Sequence, residues 1–334
     1  MRWFDAHLDL ACLAVNGRDM EAPPERAGGP WQPASVTLPS LAAGGVTHAL
    51  ATIFTEADGK EAESYPAGDA EAAHRAGTAQ MRVYEDWLAR GSARRWRDGP
   101  ARPGVLSLGI LIEGADPVRE PAELAWWAER GVVAVGLAWW KDSRYAAGNG
   151  CTDPSRGLTD LGERLVDEID RLGLVHDASH LADRSLRDLA ARSSGRIIAS
   201  HSNSRVLMGD PANQRHLSDE QIRLIAGRGG VIGLNLFGRF LRPGAGESVR
   251  ATIADALDHV EHVSRVAGGR RFVGLGSDAD GGFSALGLPE GLERPSDWAR
   301  LAEGLSGRGW SDGEIEGFCW DNWARFFGLS GRTT

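Results

Sequence analysis

The sequence predicts an α/β protein of the TIM-like (β/α)8 barrel class, on three observations. Short apolar runs, typical of strands buried on both faces, alternate with longer segments of helical period along the 334 residues. Eight such runs occur, and eight strands joined by crossover helices suit a closed parallel barrel; the count alone leaves a doubly wound sheet as the alternative. No Pro/Gly/Ser-rich linker divides the chain, so one domain over residues 1–334 is expected, although that length would also allow two domains of about 150 residues.

The elements follow in order. A first strand begins at residues 3–5, and Val46–Phe54 (VTHALATIF) reads as the second. The Pro/Gly-rich residues 21–39 between them look like a loop insertion, placed to line a site mouth or an oligomer contact. A helix over 69–89 precedes strand 104–112 (GVLSLGILI), and a helix over 121–129 precedes strand 131–138 (GVVAVGLA). After an irregular stretch at 149–156, helix 162–172, strand 174–178, helix 181–191 and strand 196–200 (RIIAS) continue the rhythm. Helix 218–228, strand 231–235, helix 248–267 and strand 272–276 complete it, and helices over 297–307 and 312–327 close the chain.

Composition narrows the function classes. A hydrophobic fraction of 42% with 25% charged residues describes a folded chain, and the net charge of −9 gives no support to nucleic-acid backbone binding. Three scattered cysteines (Cys12, Cys151, Cys319) form neither a disulfide framework nor a thiolate cluster. No run approaches 18 apolar residues, and the opening MRWFDAHLDL lacks a signal-peptide core, so no membrane partner and a cytoplasmic location are expected.

The chemistry-bearing residues collect at strand ends. His7 and Asp9 sit at i,i+2 after the first strand, a spacing that projects both to one side of an extended backbone. Glu113 follows the third strand, His180 the fifth, His201 the sixth and Asp278 the eighth. In a parallel barrel those ends share one rim, where catalytic sites assemble. Three imidazoles with carboxylates suit a pair of divalent ions, zinc first, while manganese and cobalt are not separated by residue type. Such ions lower the pKa of a shared water and generate a nucleophile. His48 and His176, inside strands, are expected in pore packing or hydrogen bonding behind the ligands; His74, His259 and His262 are expected on outer helix surfaces.

Taken in order, FDAHLDL, LIEG, LVHDASH, IIASHSNS, VGLGSDADGG and the terminal DNWARFF resemble the membrane dipeptidase (renal dipeptidase, peptidase M19) family over essentially the whole chain. The resemblance implies a metallo-dependent hydrolase barrel with two Zn2+ ions, hydrolysis of dipeptides that often end in a D-residue, and a homodimer. It implies that His7 and Asp9 bind one ion, Glu113 bridges the pair, and His180 and His201 complete the second. Asp278 resembles the substrate-binding and proton-transferring carboxylate, and Arg215 (in NQRHLSDE) the residue that receives the dipeptide carboxylate. A hydroxide between the ions attacks the peptide carbonyl in the implied reaction. Other metal amidohydrolases open with HxH and bridge through a modified Lys; HxD with Glu113 argues against that branch.

Two departures stand out. Where the family carries a substrate-contacting His after strand four, this chain reads GLAWWKDSRYAAGNG, with Trp139 at about that position. His216 stands where Asn is more usual. An indole cannot act as an acid–base group. Lys141, Arg144 and Tyr145 lie near enough to supply a replacement donor, and Trp139 facing a pocket would favour an apolar or aromatic side chain. The alternatives are a metallohydrolase of N-acyl amino acids, lactams or lactones, and a metal-binding relative without ordinary catalysis.

Overall fold

The computed structural model describes residues 1–99, 102–246 and 248–329. Eight parallel strands form the barrel wall: β1 (Trp3–Leu8), β2 (Val46–Phe54), β3 (Leu106–Glu113), β4 (Val132–Gly136), β5 (Val175–Asp177), β6 (Ile197–Ile198), β7 (Ile232–Leu234) and β8 (Val273–Leu275). They pair in the order β7-β8-β1-β2-β3-β4-β5-β6. A parallel bridge between Ala199 and Ile232 joins β6 back to β7 and closes the ring. Ala199 N–H donates to Val231 O (3.1 Å), Gly233 N–H to Ala199 O (2.8 Å) and Ser202 N–H to Gly233 O (2.8 Å) along that seam. A short strand, Ala93–Arg95, adds to the outer edge of β3.

The helices start where the chemistry of their first residues allows. Thr159, Ser218 and Thr252 each accept a hydrogen bond from a backbone N–H in the first turn that follows, satisfying a donor that the helix leaves unpaired. The expected helix over 248–267 therefore begins only at Ile253, after the Thr252 cap, and runs to Ala267. Short helices at Leu10–Val15 and Leu38–Ala43 were not expected; the first is an apolar run without helical period, and the second begins inside the expected insertion. The terminal segment is helical as expected but contains a π-helical turn at Gly317–Asp321. No helix among the described residues is long and apolar enough to cross a membrane.

Aromatic residues plug the floor of the barrel. Phe4 of β1 packs against Trp96 (ring centroids 5.6 Å) and Phe327 (6.0 Å), and Trp96 lies 4.9 Å from Phe327. Glycine on the strands makes room for these rings. A Cβ at Gly109 would stand 2.1 Å from Trp96, and one at Gly274 would stand 2.3 Å from Trp323. The terminal helix is thus held from below, and Trp323 Nε1–H donates to Leu275 O at 2.9 Å.

Several histidines lie elsewhere than expected. His48 does join the floor, accepting from Trp320 Nε1–H (3.1 Å). His176 turns away from the pore toward Asp170 (2.7 Å). His259 and His262 are buried rather than on the outer surface, because the inner face of their helix packs on the barrel. His259 Nδ1 accepts from Ser204 N–H (3.0 Å), and His262 meets Asp219 (2.7 Å). His74 is half-buried beside Pro117.

The insertion is tied down by a buried charge. Asp280, after β8, accepts from Ser35 N–H (2.9 Å), Val36 N–H (2.8 Å) and the Arg18 guanidinium, and both ionic side chains are fully enclosed. Asp280→Ala should destabilise the protein by about 3–5 kcal/mol in urea unfolding, because Arg18 would remain buried without its counter-charge. A second expectation concerns acid. Burial, reinforced by the Arg2 and Arg94 charges, pulls His48 down to about 4 from a usual value of 6.5. Below pH 6.5 the unfolded chain takes up a proton at this ring that the folded chain refuses until about pH 4. Stability therefore falls with pH across that window. In His48→Gln the slope should be shallower by up to about 1.4 kcal/mol per pH unit.

Candidate metal centre

Six side chains from five strand ends converge at the upper rim. His180, His201 and Asp278 each stand three residues beyond the last residue of β5, β6 and β8, while Glu113 ends β3. His7 lies on β1, in a stretch where the register with β2 is irregular, and Asp9 follows it. All six are buried. Glu113 faces two ways: Oε2 lies 3.2 Å from His7 Nε2, and Oε1 lies 3.2 Å from His180 Nε2 and 3.6 Å from His201 Nε2. His7 Nε2 also stands 3.8 Å from Asp9 and 4.0 Å from Asp278. Two overlapping donor groups result, His7–Glu113–His201 and His7–Asp9–Asp278.

Hydrogen bonds behind the donors fix which nitrogen faces inward. Ser200 has one hydroxyl proton, and Asp177 Oδ2 accepts it at 2.5 Å. Ser200 Oγ also contacts His7 Nδ1 (3.2 Å) and His201 Nδ1 (2.8 Å), and with its proton already given it accepts from both, so each ring turns an Nε2 lone pair to the centre. His180 Nδ1 donates to Asn149 Oδ1 at 2.9 Å, with the same result. Asp5 and Ser277 repeat the arrangement across the barrel: Ser277 donates to Asp5 Oδ2 (2.5 Å), and Asp5 Oδ1 accepts from Ser277 N–H (2.8 Å) and His7 N–H (3.1 Å). Thr52 donates to Asp9, and Asn235 Nδ2–H donates to Asp278 Oδ2 at 2.8 Å.

This arrangement fits cations. His180 Nε2 and His201 Nε2 are 2.9 Å apart, and two facing lone pairs at that distance repel unless a positive centre stands between them. His7 Nε2 is buried without a hydrogen-bond partner. Burial pulls the His7 ring down, yet Glu113, then Asp9 and Asp278, push its pKa up to about 10. That position demands a positive charge, which a proton or a metal ion satisfies. Burial lowers His180 to about 4 and His201 well below its usual value, keeping both neutral and able to bind metal. For Asp278, burial is the leading cause of a rise to about 7, opposed by His7 and reinforced by Asp9.

The backbone is unusual at the same places. His180 (φ 65°) and Asp278 (φ 59°) adopt the left-handed conformation, uncommon for residues with a Cβ. A Cβ at Gly281 would fall 2.0 Å from Asp278 Oδ1, so glycine lets the carboxylate sit there.

A cleft of about 370 Å³ opens above these groups, bordered by Trp139, Phe54 and Trp31, the last from the insertion. Trp139 packs edge-on against Phe54 (4.9 Å) and lies 6.0 Å from His180. Arg215 is buried. It donates to His201 O (2.9 Å), covers the Phe240 ring at 4.8 Å and leaves Nε unpartnered. Of the suggested replacement donors, Arg144 donates to Arg119 O (3.0 Å) and Tyr145 to Val118 O; Lys141 reaches the cleft-side Glu56 at 3.4 Å. His216 is buried behind Phe240 with both ring nitrogens unpartnered. Sequence reasoning missed Asp5, Asp177, Ser200 and Ser277. Their signal was the paired pattern Asp-Ala-His/Asp-Ala-Ser on one strand and Ser-His/Ser-Asp on its neighbour.

A closed parallel barrel with a rim cluster of imidazoles and carboxylates defines a metal-dependent hydrolase with a binuclear divalent-metal centre. The model of the membrane dipeptidase family, peptidase family M19, matches residues 1–330, and the chain belongs to that family. Relatives include an uncharacterized dipeptidase of Schizosaccharomyces pombe, 34% identical over 59% of this chain and 46% of its own length. Dipeptidase 3 of Macaca fascicularis is 32% identical over 51% and 33%. The matched stretches thus span less than half of these two proteins. An uncharacterized Klebsiella pneumoniae protein is 30% identical over 66% of this chain and 81% of its own. A metallopeptidase of Rhodobacter sphaeroides, solved with a phosphinate mimic of L-Ala-D-Ala, shares the fold over 100% of this chain and 99% of its own (TM-score 0.78, 23% identity). So does the probable dipeptidase PvdM of Pseudomonas aeruginosa, over 100% and 96% (TM-score 0.81, 20% identity).

Replacing Ser200 by Ala removes the shared acceptor of two imidazole rings. Metal affinity, measured by chelator competition, should fall about 10–100-fold.

Proposed function

We propose that this protein hydrolyses dipeptides, including those with a C-terminal D-residue, with two zinc ions held at the barrel rim. The observation that carries the reading is Glu113, whose two oxygens face separate imidazole sets (3.2 Å to His7 and 3.2 Å to His180). His7 and Asp9 would hold one ion, His180 and His201 the other, and Glu113 both. When bound, such ions supply a hydroxide nucleophile at neutral pH and polarise the scissile carbonyl. The Rhodobacter sphaeroides relative, solved with its dipeptide mimic, supports the substrate class.

The chain's own groups do the rest. Asp278, pushed up to about 7 chiefly by burial, is suited to taking a proton and returning it to the leaving amine. Asn235 anchors its Oδ2 and leaves Oδ1 toward His7. Arg215 offers an unpartnered Nε beside Phe240, matching a substrate carboxylate. Trp139 closes one side of the cleft and gives an apolar surface, which favours a narrowed substrate range; N-acyl amino acids are the second reading on that ground. A homodimer is the assembly we propose, and sedimentation checks it.

Zinc-loaded protein should hydrolyse members of an L,L and L,D dipeptide panel, and chelation should abolish turnover. Asp278→Asn should lower kcat by about 10²–10⁴-fold. Unchanged turnover in that variant would reject the proton-carrying role, and turnover confined to N-acyl amino acids would select the second reading.

A further inference from the structure

We propose that Glu61 and Glu63, with Glu56, form a cation-accepting subsite that selects substrates whose N-terminal residue carries a basic side chain. The inference rests on the dipeptide reading of the cleft. Its lining contains six carboxylates and no lysine or arginine. Asp9, Glu113 and Asp278 belong to the metal centre, whereas Glu56 lies on the ribbon of Glu56–Ala57 and Ser64–Tyr65 that follows β2, and Glu61 and Glu63 on the segment joining its strands. Glu56 has Lys141 beside it at 3.4 Å. Glu63 is only 3% exposed, and its carboxylate is held by a neutral amide, Asn16 Nδ2–H at 2.6 Å. Neither Glu61 nor Glu63 has a cationic partner among the described residues. A buried carboxylate facing a cleft without a counter-charge favours a cation arriving from solvent.

The opposite pole gives the substrate its direction. Arg215 is 5% exposed with its Nε unpartnered, and it sits in the segment after β6. In an eight-stranded ring β2 and β6 stand across from each other, so Arg215, packed on the cleft-lining Phe240 ring, and the ribbon lie on opposite sides of the metal centre. A zwitterion whose carboxylate meets Arg215 presents its amino end to the ribbon. Phe54 stands two residues before the ribbon and 4.9 Å from Trp139, and these two rings offer an apolar surface for the methylene stem of a long cationic side chain. Trp139 thus acquires a purpose that needs no proton transfer.

The test compares isosteres on the zinc-loaded protein. Dipeptides sharing one C-terminal alanine and beginning with lysine, arginine, norleucine or glutamate are ranked by kcat/KM. Lysine and arginine should exceed norleucine by about tenfold or more at low salt, glutamate should be poorest, and added salt should narrow the gap. In Glu61→Gln, at an exposed position, the lysine-to-norleucine ratio should drop severalfold; Glu63→Gln should drop it further if that variant folds. A ratio near one in the unaltered protein, with norleucine dipeptides turned over well, overturns the subsite and leaves the dipeptidase intact. Absence of hydrolysis across the whole panel overturns the dipeptidase reading, and the subsite falls with it.

Discussion

Buried negative charge at the barrel rim is the constraint from which the rest of this structure follows. Asp9, Glu113 and Asp278 are each no more than 8% exposed, and they surround imidazole nitrogens whose lone pairs point at one another. Desolvated carboxylates in such number are costly unless positive charge is placed among them. The high pKa of His7 is one expression of that demand. The hydrogen bonds that Ser200 and Asn149 accept and that Thr52 and Asn235 donate are another, since they hold the site's side chains in an arrangement that would relax if it were free.

The scaffold supports this arrangement in two ways. Asp5 and Asp177, on β1 and β5, each gather a serine from a neighbouring strand, so the His7 and His201 rings are oriented by the wall, whereas Asn149, in the loop after β4, orients His180. The left-handed backbone at His180 and Asp278 costs roughly 1–2 kcal/mol at each position. That strain lies far from the aromatic floor, where Phe4, Trp96, Trp323 and Phe327 pack together and the Trp323 N–H is satisfied by Leu275 O. Chemistry and stability therefore occupy opposite ends of the barrel.

Much of this was legible in the sequence, for definite reasons. Fully buried strands appear as unbroken apolar runs, which is why Val46–Phe54 matches its expected bounds. The rim residues could be read because each ends such a run. β6 pairs formally over only Ile197–Ile198, since Ala199 and Ser200 bend toward the seam, and strand periodicity carries no sign of that. The burial of His259 and His262 was missed because both fall on the inner face of a mixed helix, where a paired imidazole substitutes for an apolar residue. The burial of Arg215 has no sign in the local pattern, since it depends on Phe240, 25 residues away, and on the carbonyl of His201. The Asp–Ser pairs were in plain sight, but only strand adjacency gives them meaning.

The ring of strands is not uniform, because β6 meets β7 through an isolated bridge and a few main-chain hydrogen bonds instead of a full ladder. Gly233 and Gly276 leave space there for the Ser200 carbonyl, where any Cβ would come within 2 Å of it. This join is thin in main-chain hydrogen bonds, and Ser200 beside it anchors two imidazoles. Breathing of the join, visible as early amide exchange, would release the ions before the fold is lost. A centre placed beside such a join would have its own local lifetime, shorter than that of the barrel carrying it.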